Sequence, residues 1–152
     1  MAPRGKRTTG QIILRLLFVA YVGWMLWLLF GQRLGAQSDM VQAAQRLNLK
    51  PFATVHRYFP LLMGRKGPAL QRLAVINLVG NVVMFIPFGY CIPRIFSAFR
   101  GFFPTFFMCF IMITVVEAVQ YFTGLGVCDI DDLILNLFGV IIGYLLSLLK
   151  RH

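Results

Sequence analysis

Four of the chain's five acidic residues fall between positions 117 and 132, and these are the residues best placed for chemistry. Glu117 is the one charged residue in the run 102–122, FFPTFFMCFIMITVVEAVQYF. Asp129, Asp131 and Asp132 follow at the head of CDIDDLILNLFGVIIGYLL. Charge inside an apolar span is costly and normally faces a bundle interior, a cavity or a partner. Carboxylates held there could accept amines or hydroxyls of a lipid-linked substrate, relay protons, or act as general acid and base. Glu117 and Gln120 lie three apart and share a helical face, and so do Asp129 and Asp132. Neighbouring Asp131 and Asp132 would project about 100° apart on a helix, so they cannot both face one ligand squarely.

Amides stand near these acids in the pattern. Asn136 continues the Asp132 face, followed by Gly139, Gly143 and Ser147. Asn77 and Asn81 share a face of an earlier apolar run. The candidate functional patch is therefore Asn81, Glu117, Gln120, Asp129, Asp132 and Asn136. A second reading stays open: the amides, which donate and accept at once, could simply join three spans. Gly139 and Gly143 form a GxxxG, a spacing that lets membrane helices approach closely, and are expected to serve packing. Two carboxylates could hold a divalent ion, but no histidine or further pattern supports a metal site, and no cofactor is expected. Cys91, Cys109 and Cys128 form no CxxC and, being odd in number, no disulfide framework. His56 and His152 are far apart, and His56 reads as an interfacial loop residue.

The elements that position these groups are membrane helices. Of 152 residues, 59% are hydrophobic and 13% charged, well below the charge of a soluble domain. Mean hydropathy is +0.75. Four runs have the length and apolarity of a span, at about 11–30, 73–93, 104–122 and 131–149. A soluble fold would have to bury four such helices on every side. The runs are continuous and do not alternate, which argues against a β-barrel. The expected fold is all-α: a polytopic membrane protein with four transmembrane helices in a compact bundle. A basic tail, 1–10, precedes one membrane domain, 11–149. The first run is read as an uncleaved span, because no small-x-small cleavage site follows it. Pro87 is expected to kink or end the second span.

The polar stretch 31–72 carries seven basic residues and reads as an interfacial loop, with a short amphipathic helix in MVQAAQRLNL. The net charge of +10 lies outside the spans and suits anionic lipid headgroups; there is no separate basic domain for nucleic acid. Eight basic residues fall on the side of the termini and seven on the other, so charge alone barely orients the chain. The base-free, acidic 123–132 connection favours both termini in the cytoplasm.

An ordered set of short motifs resembles the VanZ-like family. Asn48, Pro51 and Phe52 match its Asn-x-x-Pro-Phe loop. Gly80, Asn81, Phe85, Pro87 and Gly89 match its Gly-Asn and Phe-x-Pro-x-Gly span. Glu117 and Gln120 match its Glu-x-x-Gln, and Asp129, Asp132, Asn136 and Gly139 its Asp-x-x-Asp and Asn-x-x-Gly. The set covers about 47–145. The arginine that many members carry just before the Asp-x-x-Asp is absent here, where GLGVC stands. The resemblance implies a multi-pass protein of the bacterial cell membrane with an envelope role, linked through the family's namesake to the glycopeptide teicoplanin. It gives no reaction. An envelope factor acting on a lipid-linked cell-wall precursor or a glycopeptide, a membrane enzyme modifying a lipid or such a precursor, and a scaffold all remain open, as does the oligomeric state.

Overall fold

The computed structural model describes residues 9–31, 47–64 and 67–149. Helix α1 is Thr9–Phe30, β1 is Leu47–Asn48 and α2 is Ala53–Leu62. Helix α3, Pro68–Ala74, runs through a π-helical turn, Val75–Val79, into α4, Gly80–Ile95. Helix α5 is Phe102–Thr123, β2 is Cys128–Asp129 and α6 is Ile130–Leu149.

Among the described residues, four helices are long and apolar enough to cross a membrane: Thr9–Phe30, Pro68–Ile95, Phe102–Thr123 and Ile130–Leu149. The shortest, of 20 residues, spans about 30 Å, the thickness of a hydrocarbon core. The burial pattern is that of a membrane bundle. Phe107, Ile111, Val115 and Phe122 on α5 are exposed, while Thr105, Glu117 and Gln120 on the same helix are buried. Polar groups point inward because hydrocarbon offers them no partners, and the apolar side chains suit lipid.

Helices α4 and α6 form the closest pair, and glycine permits it. A Cβ on Gly139 would sit 2.1 Å from the carbonyl oxygen of Val82, and one on Gly143 2.0 Å from that of Ile86. Gly89 on α4 answers from the other side, 2.0 Å from the carbonyl oxygen of Val140. The backbones touch at three successive levels, as small-residue membrane crossings allow. Phe85, Phe88, Ile92, Cys109, Ile113, Val140 and Met25 form the core beside this seam. Helix α1 packs outside it, held by the Phe18–Phe88 edge-to-face contact at 5.3 Å.

Hydrogen bonds place the helix ends. Arg15 donates to the carbonyl of Ile95 at 3.1 Å, and Arg94 donates to that of Ser147 at 2.7 Å. The start of α1 and the ends of α4 and α6 therefore share one face. Arg94 is a cation at the carboxyl end of α6, where the helix dipole favours it. At the other face, Gln120 donates to the carbonyl of Leu29 at 3.5 Å.

Several expectations change. Pro87 neither ends nor interrupts α4, which continues through Pro87 and Pro93 to Ile95. Neighbouring groups can re-satisfy backbone freed by proline in a membrane, and the Tyr21 hydroxyl donates to the carbonyl of Met84 beside it. The irregularity lies upstream, in the π turn. His56 is in helix α2 and not in a loop. The helix expected over MVQAAQRLNL lies mostly outside the described residues, and Leu47 and Asn48 near its end form β1. The strands β1 and β2 pair in parallel, Leu47 with Cys128 and Asn48 with Asp129.

Candidate functional site

The parallel pair brings the Asn48–Val55 segment against the start of α6, and the three aspartates there do different work. Asp129 caps its own helix: Oδ1 accepts the backbone N–H of Asp131 at 2.9 Å. Its Oδ2 accepts the Thr54 hydroxyl and, at 3.1 Å, the side-chain amide of Asn48. Asp131 is fully buried, at 0% exposure. Its carboxylate accepts the backbone N–H groups of Phe52, Thr54 at 2.7 Å and Val55 at 3.0 Å. These are orphan donors of the first turn of α2, so Asp131 caps a helix it does not belong to. Its negative charge also suits the positive end of that helix. Phe52, just before α2, has a φ of 62°, a left-handed conformation that side chains disfavour. The Asp131 bond to its N–H offsets that cost.

Asp132 turns the other way, toward α4, and accepts the Asn81 side-chain amide. It lines a cavity of about 510 Å³ at the face that holds α2. All six residues of the candidate patch line this cavity: Asn81, Glu117, Gln120, Asp129, Asp132 and Asn136. Glu117 is 8% exposed and Asn136 5%. The remaining wall is mixed. Leu28 and Leu29 come from α1, Ile76, Asn77, Met84 and Phe85 from the α3–α4 span, and Val116 from α5. Asn77 sits in the π turn and donates back to the carbonyl of Leu73 at 3.1 Å. Such turns collect at functional sites.

Asn136 Oδ1 is buried and has no hydrogen-bond partner among the described residues. A buried acceptor left unmet costs about 1–3 kcal/mol. Outside the span, burial pushes the Cys128 thiol above its ordinary range, and the Glu117 and Asp129 carboxylates push it further. That thiol is poorly suited to act as a nucleophile. Among the described residues no cluster of histidine, cysteine and acids could hold a metal ion.

The expected packing residues, Gly139 and Gly143, lie on the α4 side of α6, away from the cavity wall. Sequence reasoning did not find Thr54, Arg57 and Tyr58 of α2, which also line the cavity. Arg57 and Tyr58 had the composition of headgroup-facing residues, and only the docking of α2 turns them inward. Asp131 and Asp132 differ in direction on the helix, but nothing local in the sequence points to the Asp131 partners at 52–55.

Comparison with known proteins gives a consistent picture. The family model described as VanZ/LLP1 matches residues 15–151. The protein named "Protein VanZ" from Enterococcus faecium is 28% identical over 145 residues, covering 94% of this chain and 79% of that protein. No solved structure matches.

Proposed function

Because this chain belongs to the VanZ/LLP1 family of membrane proteins, we propose that it lowers susceptibility to glycopeptides such as teicoplanin by holding a lipid or lipid-linked cell-wall precursor in the cavity between α1, α2 and the α4–α6 seam. The observation that carries this reading is the composition of the cavity. Acids and amides meet an apolar wall within about 510 Å³, a size and mixture suited to one end of an amphiphile. In this reading the cavity lies at the level of one membrane–water boundary. Both termini are cytoplasmic in this reading, and the cavity and α2 face the outside, where glycopeptides act.

The three aspartates divide the work. Asp129 and Asp131 hold α2 and α6 in place, and Asp132 joins Glu117, Asn81, Gln120 and Asn136 in contacting the ligand. Holding a ligand needs no turnover. The enzyme reading is favoured by one observation, the presence of two carboxylates, Glu117 and Asp132, in one cavity. Mass spectrometry of envelope lipids and precursors, in cells with and without the protein, tests between them. An unchanged inventory with raised teicoplanin tolerance supports the binding role. A new covalent species that disappears in folded Glu117→Gln or Asp132→Asn variants overturns it in favour of an enzyme.

A further inference from the structure

We propose that the cavity opens sideways into the hydrocarbon between α1 and the α3–α4 span, and that one chain of the bound lipid lies over Gly80 in that opening. This deepens the lipid-binding reading above and rests on it. The fold itself does not need a glycine at position 80. Gly80 has φ −58° and ψ −46°, ordinary helical angles that any residue adopts. A Cβ added to it would meet nothing within 4 Å among the described residues, whereas Gly89, Gly139 and Gly143 press against backbone. Glycine weakens a helix interior, because it loses the most backbone freedom on folding. At Gly80 neither conformation nor packing offsets that loss. Gly80 lines the cavity, so the room in front of it is cavity space. Gly23 also meets nothing, but it is exposed and lines no part of the cavity.

The depth and chemistry of this room suit hydrocarbon. Gly139 abuts Val82, so Gly80 lies roughly 8–10 Å inside the start of α6, below the headgroup level. Ile76, about one turn earlier on the same helical face, lines the cavity and is 66% exposed, so the cavity reaches the outer surface of the bundle there. Met84, one turn later, and Leu28 on α1 continue an apolar wall. The polar pair Asn81 and Asp132 lies on the α6 side of the same cavity. A polar end toward α6, with the chain leaving directly past Gly80, is the order in which an amphiphile is built. A water-soluble ligand gains nothing from a slot that opens to hydrocarbon. The occupant is the hydrocarbon chain of an amphiphile, supplied by an acyl phospholipid or by a polyprenyl carrier.

The test uses the full chain in phospholipid nanodiscs with two probes, phosphatidylglycerol and a polyprenyl phosphate, each carrying a photoreactive diazirine in the chain near its polar end. Peptide mass spectrometry maps the labelled residues. Labelling at Leu28 and Met84 is expected to saturate and to be chased by excess unlabelled lipid. Labelling at Val83, 54% exposed and outside the cavity lining, should only rise with probe concentration. Gly80→Phe is expected to lower labelling at Leu28 and Met84 about tenfold, and Val83→Phe to leave it unchanged. Saturable labelling by either probe supports the inference and identifies which source supplies the chain. Gly80→Ala should unfold at no lower temperature than wild type, unlike Gly139→Ala; a lower temperature would show that packing needs the glycine and overturns the inference. If Gly80→Phe does not accumulate, Ile76→Trp at the exposed rim is expected to reduce the same labelling in a folded protein. Unsaturable labelling by both probes, or saturable labelling indifferent to these cavity variants, also overturns it. Teicoplanin susceptibility of the same strains separates the two claims. Glu117→Gln or Asp132→Asn variants that change susceptibility, with unsaturable labelling at Leu28 and Met84, defeat this inference and leave the proposed function standing. Saturable labelling that Gly80→Phe abolishes, with susceptibility unchanged, upholds the inference and defeats the proposed function.

Discussion

The Asp131 carboxylate accepts the backbone N–H of Thr54 at 2.7 Å, across 77 positions of sequence, and so fixes α2 over the cavity. The same carboxylate takes the N–H groups of Phe52 and Val55. One side chain at the start of a span therefore anchors the element that brings Thr54, Arg57 and Tyr58 to the site.

Replacing that anchor should release α2 and leave the spans in place. Asp131→Ala removes a buried cap and three charge-assisted bonds, for an expected loss of about 2–4 kcal/mol in the docking of α2. Hydrogen exchange read by mass spectrometry checks this. Amides at 52–55 should exchange much faster in the variant, and those of α4 and α6 should keep their protection. Equal protection at 52–55 in both proteins would show that α2 is held by other contacts.

The glycine seam gives a prediction with an internal control. Gly139→Ala places a methyl 2.1 Å from a backbone oxygen, so α4 and α6 must separate, at an expected cost of about 1–3 kcal/mol. Gly89→Ala and Gly143→Ala meet the same obstacle. Gly23 in α1 has nothing within 4 Å of an added Cβ, so Gly23→Ala should be near neutral. Thermal unfolding in detergent should rank the four accordingly, and a uniform response would argue against a tight α4–α6 crossing.

Cys128 reports on the charge of the cavity. Its thiol is pushed up by burial first and then by Glu117 and Asp129, so less thiolate is present at pH 8 than for an ordinary cysteine. Alkylation by a small maleimide should be correspondingly slow. Glu117→Gln removes one of the raising carboxylates, which lowers the thiol pKa and should speed labelling at pH 8. A rate that does not respond would mean that Glu117 carries no charge felt at Cys128.

Orientation follows from accessibility in intact cells. In a protein without native cysteines, Gly126→Cys in the α5–α6 connection should react with an impermeant maleimide, and Ala98→Cys in the α4–α5 link should be protected. The reverse pattern would turn the molecule over and place the cavity in the cytoplasm.

The sequence displays some of this molecule openly and hides the rest for physical reasons. Continuous apolar runs mark the four spans, because a helix that satisfies its own backbone can be apolar on every side. The i, i+4 spacing of Gly139 and Gly143 is visible in the same way. Local rules fail where a neighbour decides the outcome. Pro87 predicts a kink or an end by its own chemistry, but α4 continues through it to Ile95. The 31–72 stretch is polar enough to read as a loop, but part of it becomes α2 because Asp131 supplies the cap that α2 lacks in its own sequence. Asp131 itself sits beside Asp132 with no local sign that one faces a helix end and the other a cavity. Arg57 is hidden for the same reason, since only the docked α2 carries it to the acids.

The central claim is that the cavity residues act on the envelope and do not merely hold the spans together. The most direct test compares teicoplanin susceptibility in strains producing wild type, Glu117→Gln, Asp132→Asn and Asn136→Ala at matched membrane abundance. The account predicts normal insertion and unfolding temperature for all four proteins, with tolerance to teicoplanin reduced about fourfold or more in each variant, equivalent to about 1 kcal/mol of lost binding per site. Full tolerance in all three variants at wild-type abundance would contradict it and leave the cavity a structural feature of the bundle.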